Sequence, residues 1–390
     1  MLPLEGVKVL DLTRLLPGPF CSLILADFGA EVIKIEQPGR GDYGRWTPPL
    51  IKDTSSFYLL VNRNKKSLTL NLNVDKGKEI FLQLARDADV ILEGFRPGVA
   101  KRLGVDYDTV KKVNPRLVYC SISGYGQDGP YANLSGHDIN YLSYAGILGL
   151  TVARDGTPVI PSTQIADIGG GALMAAIGIL LALMTQRNTG KGQFVDISML
   201  DGVVSWLPAI AGGYFATQQQ PAPGKARLAG KYACYAVYRT KDGGYISLGA
   251  LEKHFWERLC RYINRIEFIE WQFNDQKQSE MFSYLDKHFL SLNRDEWVKL
   301  LQEIDVCVAP VYSLAEVFQD PQILHRNMVY EIDHPRLGII KQLGFPVKMS
   351  LTPAAARLYP PDLGEHNVDI LTTLGYSHNE IRAFCQQGII

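Results

Sequence analysis

The first thirty-six residues constrain the fold most. "VKVLDLT" (7–13) reads as a strand, "GPFCSLILADFGA" (18–30) as a helix ending at Gly29, and "EVIKIE" (31–36) as a second strand. A strand, a crossover helix and a strand form a β-α-β unit, which favours a parallel sheet. The alternation continues. "DKGKEIFLQLARDA" (75–88) is helical in pattern and "DVILEGF" (89–95) is a strand. "DYDTVKKVNP" (106–115) is helical again, and "RLVYCSISG" (116–124) is a strand. This pattern predicts an α/β, doubly wound domain. It does not predict a nicotinamide or flavin site. The first strand-to-helix turn, "LTRLLPGPF", lacks G-x-G-x-x-G, and its prolines restrict the backbone. "NTGKGQ" (188–193) lacks the upstream glycine of a phosphate loop and the Ser/Thr after its lysine, so it reads as a solvated turn.

Past residue 205 the character changes. "QQQPAPGKARLAGK" (218–231) is polar and rich in Pro and Gly, a linker or mobile loop. "YAVYRTKDGGYISLGAL" (235–251) alternates around Asp242-Gly243, a hairpin signal. Helical patterns follow at 252–264, 279–291 and 295–304, short strands at 328–349, and two helical stretches broken at Gly375. The expected organisation is a large domain over 1–205, a linker over 206–224, a small α+β domain over 225–320, and a return to the large domain over 321–390. No internal repeats are visible. Residues 168–184 carry no charge and reach the lower length limit for a membrane span. Asp167 and three glycines at the start, and polar sequence at once after, predict instead a buried helix of a large soluble core.

Composition narrows the function classes. Forty Lys+Arg balance forty Asp+Glu, so net charge gives no argument for a nucleic-acid partner. The opening "MLPLEGVKVLDLT" has no basic segment followed by an apolar one. The six cysteines are scattered, without C-x-x-C. Both features fit a cytoplasmic protein with reduced thiols. The seven histidines show no H-x-H or H-x-x-x-H spacing, and we expect no metal site. "NLS" (133–135) matches a glycosylation acceptor by chance.

Three residues carry candidate chemistry. His137, in "SGHDINYLSYAG", stands at the start of a helical pattern; it is either a surface or core histidine, or a proton carrier near neutral pH. Gly136 beside it allows close backbone approach. Asp167, in "QIADIGGGALMAA", reads as a helix N-cap. Capping does not require Gly169, Gly170 and Gly171, each costing roughly 1 kcal/mol against alanine in a helix. They offer room for a ligand near N–H groups at a positive helix end, where an enolate or tetrahedral oxyanion is stabilised. Glu252, in "GALEKHFW", is either a helix N-terminal acid or a site residue at a strand-to-helix turn. Among basic residues, Arg63, Lys65, Lys66, Arg96 and Arg102 form either a solvated charge face or a phosphate site near strand ends.

Longer motifs are more specific. "LEGVKVLDLTRLLPGPFCSLILADFGAEVIKIEQPGRGD", "LEGFRPGVAKRLGVDY", "NPRLVYCSISGYGQDGPY", "TGKGQFVDISMLDG" and "PPDLGEHNVDIL" together resemble the family III CoA-transferases, the CaiB/BaiF-like superfamily, which includes the α-methylacyl-CoA racemases. The resemblance spans nearly the whole chain. It implies an acyl-CoA substrate, with no cofactor beyond the coenzyme A carried by that substrate. It implies a Rossmann-like large domain completed by the returning carboxyl terminus, a smaller domain between, and an interlocked homodimer of ring-like chains. It implies neither a nucleic-acid nor a membrane partner.

The resemblance also assigns roles. In the transferases the aspartate matching Asp167 carries covalent intermediates; in the racemases it is one of two acid/base residues. The second is the histidine of "GHDINY", intact here at 136–141 and usually lacking in the transferases. "GALEKHFW" is similar to a racemase segment whose glutamate lies at the site. The implied catalytic set is therefore His137, Asp167 and Glu252. The implied CoA and substrate contacts are Leu68, Thr69, Leu70 and Asn71 from "KKSLTLN", with Arg96 and Arg102. Gly136, Asp138, Ile139, Asn140 and Tyr141 join them. Two departures stand out. Residues 41–67 are longer than in the racemases and more like the transferases, and Gln37 replaces an arginine that contacts the nucleotide in several racemases. The expected activity is α-methylacyl-CoA racemase, a 1,1-proton transfer at the α-carbon of a 2-methyl-branched thioester. The alternatives are CoA transfer between carboxylic acids through an aspartyl-CoA thioester, and a non-catalytic CoA-binding protein.

Overall fold

The structure, a computed structural model, describes residues 1–153 and 155–390. The chain divides into two compact units, one of residues 1–145, 161–206 and 322–390, the other of 146–160 and 207–321.

The first unit is built on a six-stranded sheet. Its strands are β1 (Lys8–Asp11), β2 (Glu31–Glu36), β3 (Lys65–Thr69), β4 (Val90–Glu93), β5 (Val118–Ser123) and β6 (Phe194–Ser198). All neighbours are parallel, in the order β3-β2-β1-β4-β5-β6. This is the doubly wound order, and its direction of winding reverses between β1 and β4. Every residue of β4 and β5 is buried, as apolar runs covered on both faces must be. Side chains alternate between the faces. Leu10, Ile33, Leu68, Ile91 and Tyr119 share a core with Ile80, Phe81 and Ala85 of helix α2, after helix α1 (Pro17–Asp27) and itself spanning Asp75–Arg86. Ile370, Leu371, Ile381 and Phe384 of the C-terminal tail close the same core. Truncating a fully buried phenylalanine such as Phe81 to alanine costs about 3–5 kcal/mol.

The long crossover from β2 to β3 is pinned by buried charge. Arg45 grips Glu36 through Nε and Nη2 at 2.7 and 2.6 Å. Lys34 Nζ pairs with Asp42 at 2.9 Å and donates to the Thr13 carbonyl at 2.8 Å. Lys65 donates to Asn62 and the Pro19 carbonyl and pairs with Asp11, while Arg63 clasps Asp27. Removing one partner of such a pair costs about 3–5 kcal/mol, because the other charge stays buried. These partners correct the phosphate-site expectation for Arg63 and Lys65: their charges are spent inside the protein. Lys66 pairs with Glu31 at the surface.

Four further helices of this unit bear on the site: α3 (Val99–Leu103), α4 (Asp138–Tyr144), α5 (Met174–Thr189) and α6 (Met199–Val204). A nine-residue π-helical segment, Ile165–Leu173, runs directly into α5. Together they form one apolar helix, Ile165–Thr189, of mean hydropathy 2.1, long enough to cross a membrane. It departs from the expected buried helix. Ala175, Ala176, Ile179, Ala182 and Leu183 are buried, while Leu173, Ile177, Leu180, Leu181 and Met184 are exposed.

The second unit carries a three-stranded antiparallel sheet of β7 (Tyr235–Arg239), β8 (Tyr245–Gly249) and β9 (Val308–Pro310). The β7–β8 hairpin turns at Asp242 and Gly243, the latter at φ 81°. Helices α8 (Lys253–Tyr262), α9 (Gln278–Phe289) and α10 (Arg294–Glu303) cover a core around Tyr238, Trp256, Phe289 and Trp297. Helix α7 (Pro208–Thr217) occupies part of the region read as linker. Residues 146–160 join this unit from within the stretch assigned to the large domain.

Candidate active site

Two local structures in the first unit concern the chemistry. In the first, the "GHDINY" segment forms the start of α4. His137 has extended backbone and is the N-cap; its N–H donates to Asn140 Oδ1 at 3.0 Å. This return bond from the third helical residue fixes the entry into the helix. Tyr141 OH donates to the Gly136 carbonyl at 2.7 Å. A side chain at Gly136 would meet the Tyr141 ring at 2.7 Å and the Tyr125 hydroxyl at 2.8 Å. The glycine therefore admits two tyrosines, and they hold the backbone that presents His137. Tyr125 also packs edge-on against Tyr141 and Tyr144. The His137 side chain is exposed.

The second structure is the first turn of the Ile165–Leu173 segment, which packs against α4, α1 and α6. Asp138 Oδ1 accepts the N–H of Ala166 at 2.7 Å and of Asp167 at 2.9 Å. The carboxyl of Asp167, partly buried, is pushed up to about 6, first by loss of water on burial and then by the charge of Asp138, with His137 acting in the opposite sense. His137 and Asp167 thus stand within electrostatic reach of each other.

The glycines after Asp167 do not leave room for a ligand. Gly169 lies under the Trp206 ring, Gly170 and Gly202 meet backbone to backbone, and Gly171 abuts the Met199 side chain. Their purpose is close packing of the segment on α6. The N–H groups of Ala166 and Asp167, expected to hold an oxyanion, are taken by Asp138. Both observations correct the reading of "DIGGG" as an oxyanion site.

A cleft of about 210 Å³ opens at the carboxyl ends of β1, β2, β3 and β4, and spans the reversal between β1 and β4. Ligands of open α/β sheets bind at such a crevice. Leu70 and Asn71 line it, as do Arg14, Gln37 and Phe95. Of the other expected contacts, Leu68 is fully buried in the core, which corrects its place among CoA-contacting side chains. Thr69 is buried too, and exchanges hydrogen bonds with Asn367 of the tail. Arg102 is exposed on α3, whose Val99 and Leu103 face the cleft. Arg96 is exposed one residue after Phe95, and its charge bears on Tyr141, as does that of Asp167. The loop that carries both is tied down by Glu93, buried at the end of β4, which accepts the Phe95 N–H at 2.6 Å. Burial raises the Glu93 carboxyl to about 7. Ile139 and Asn140 are exposed on the first turn of α4. Glu252 belongs to the second unit, as the exposed N-cap of α8. Arg14, Leu72, Asn73 and Phe95 were not singled out in the sequence. Arg14 directly follows the predicted strand 7–13 and Phe95 ends the predicted strand 89–95, which was the available signal; Leu72 and Asn73 follow β3, which the sequence pattern did not mark.

The model of CoA-transferase family III matches residues 4–367. The chain belongs to this family. The succinyl-CoA:glutarate CoA-transferase of Mus musculus is 36% identical to it over 398 residues, covering 100% of this chain and 91% of the relative. The α-methylacyl-CoA racemase of Homo sapiens is 32% identical over 398 residues, covering 99% and 97%. A CAIB/BAIF family protein from Brucella suis has a crystal structure that superposes with a TM-score of 0.84 at 30% identity, covering 96% of this chain and 99% of that one. The family III fold therefore accounts for the parallel sheet, and the family's enzymes include both CoA-transferases and racemases.

Proposed function

We propose that this family III protein is an acyl-CoA racemase, acting on a 2-methyl-branched acyl-CoA by 1,1-proton transfer. One observation supports the reading: His137 caps α4, its neighbour Asp138 bonds the backbone of Asp167, and the charge of His137 bears on the Asp167 carboxyl. One member removes the α-proton of the thioester, giving an enolate; the other delivers a proton to the opposite face. The reverse reaction exchanges their roles, so the working enzyme holds one proton on the pair in either direction. A carboxyl raised to about 6 suits this work, since it gives and takes a proton near neutral pH. Such groups contribute about 10²–10⁴-fold each. The cleft at the strand ends takes the CoA portion, with Leu70, Asn71 and Arg14 on its walls and Arg96 on the loop toward Tyr141. The resemblance implies an assisting role for Glu252. The protein acts as a homodimer in the cytoplasm, and coenzyme A enters only as part of the substrate.

A second reading is CoA transfer, with Asp167 attacking the thioester as nucleophile. The greater identity to the glutarate transferase favours it, as does the long 41–67 segment. A 2-methylacyl-CoA of one configuration, incubated in D₂O without acceptor acid, separates the two. The racemase incorporates deuterium at the α-carbon and loses chirality, and His137→Ala abolishes both. Absence of exchange above the enzyme-free rate across a panel of chain lengths sinks the racemase reading.

A further inference from the structure

We propose that Asp138 is a positioning residue, whose carboxylate clamps the first turn of the segment carrying Asp167 and so fixes Asp167 against His137. The inference rests on the reading of Asp167 as the reacting carboxyl. The resemblance placed Asp138 among substrate contacts; the structure gives its side chain another task.

The geometry is specific. A single oxygen, Asp138 Oδ1, accepts two consecutive main-chain N–H groups, Ala166 at 2.7 Å and Asp167 at 2.9 Å. Asp138 follows His137 directly, so one residue joins the backbone of the imidazole to the backbone of the carboxyl across 28 and 29 positions of sequence. The opening N–H groups of a helix have no intrahelical acceptor and ordinarily stabilise an anion placed there. Asp138 consumes this stabilisation. Asp167, the third residue of the segment, is left with burial and a neighbouring negative charge. Both disfavour its ionised form, and His137 opposes them.

The other groups around the segment do not replace this effect. On α4, Tyr141 lies in the field of Asp167 and Arg96. Helix α1 brings Cys21 and Asp27, α6 brings Asp201, β5 brings Tyr119 and Cys120, β6 brings Asp196, and α5 brings Arg187, and none of these enters the shift at Asp167. Asp138 therefore has two separable effects, a geometric one through its oxygen and an electrostatic one through its charge.

Asp138→Asn and Asp138→Ala separate them. Asparagine keeps the accepting oxygen and removes the charge; alanine removes both. The Asp167 carboxyl is read directly by NMR of protein labelled at the aspartate carboxyl carbon, with its signal assigned from Asp167→Asn. In Asp138→Asn we expect Asp167 to titrate lower than in the wild type. The acidic limb of kcat/KM moves down with it, and KM for the acyl-CoA stays within about twofold. In Asp138→Ala we expect kcat to fall by about tenfold or more with KM similarly unchanged, since a misplaced reacting group costs up to about 10²-fold. An Asp167 carboxyl signal in Asp138→Ala identical to that in Asp138→Asn overturns the proposal, since only alanine removes the accepting oxygen. So does wild-type kcat in Asp138→Ala, or a loss confined to KM, which would mark a substrate contact. Full turnover by Asp167→Asn would instead sink the functional reading, and a difference in the Asp167 carboxyl signal between Asp138→Asn and Asp138→Ala would still report the clamp.

Discussion

Asp167 shows how far a single residue can be read. Its residue type, its place before an apolar run and its motif marked it as reactive. Its chemical state depends on neighbours that the sequence does not order in space. Burial and Asp138 raise its carboxyl to about 6 from an ordinary value of 3.8. The linkage has a definite sign. A carboxyl raised on folding binds its proton more tightly in the native state than in the unfolded chain. Its presence is neutral to stability below about pH 4, becomes a penalty that grows between about pH 4 and 6, and is level above that. Asp167→Asn, which keeps the shape without the charge, should therefore be more stable than the wild type at pH 7.5. Thermal unfolding at several pH values reads this, and the gap should close toward pH 4. A variant less stable than the wild type at pH 7.5 would mean that the ionised carboxylate is well paired. Arg63 and Lys65 teach the converse lesson. As charges in a row they suggested a phosphate, and only the folded chain reveals Asp27 and Asp11 as their partners.

At the scale of elements, β1, β2, β4 and β5 were legible as short apolar runs, with α1 and α2 as helical periods between strands. β3 and β6 were not, because polar residues interrupt them. The π-helical turn around Asp167 was not legible. Its one sequence trace, "GGG", has two explanations, ligand room and close packing, and only the neighbour chooses between them. That neighbour is α6, where Gly202 meets Gly170 backbone to backbone. Helix α7 was missed because its Pro and Gly residues and polar flank read as linker. The crossing of the π-helical segment and α6 makes a testable prediction. Gly202→Ala places a methyl group against the backbone of Gly170, where no flexible side chain can give way. Overpacking of this kind costs about 1–3 kcal/mol. Urea unfolding should show a loss of that size. Turnover should fall as well, because the segment that must shift carries Asp167. Unchanged stability would mean that the helices separate without strain. By contrast, Gly149→Ala meets no atom within 4 Å and serves as the control.

At the scale of the whole molecule, the motif order announced the family, and the charge balance gave no direction. The apolar stretch at 168–184 was misjudged in one respect. Its buried side is small, Ala175, Ala176 and Ala182, as close packing against α1 and the sheet requires. Its open side is large: Leu181 is 61% and Met184 63% exposed, on a face shared with Ile177. An exposed apolar stripe of this kind marks a surface that another molecule covers. The proposed homodimer supplies that molecule. The 43.4 kDa chain should then sediment as a two-chain particle. If the two rings are interlocked, separation requires opening a chain, not merely parting two faces. Dilution to nanomolar concentration should leave the pair intact, whereas a side-by-side dimer would dissociate as mass action requires. Charges on the stripe, as in Leu181→Asp with Met184→Asp, cannot release a folded monomer from an interlocked pair; they should lower the yield of soluble dimer instead. A folded single chain from that variant would exclude interlocking, and a wild-type chain that sediments alone would exclude the dimer.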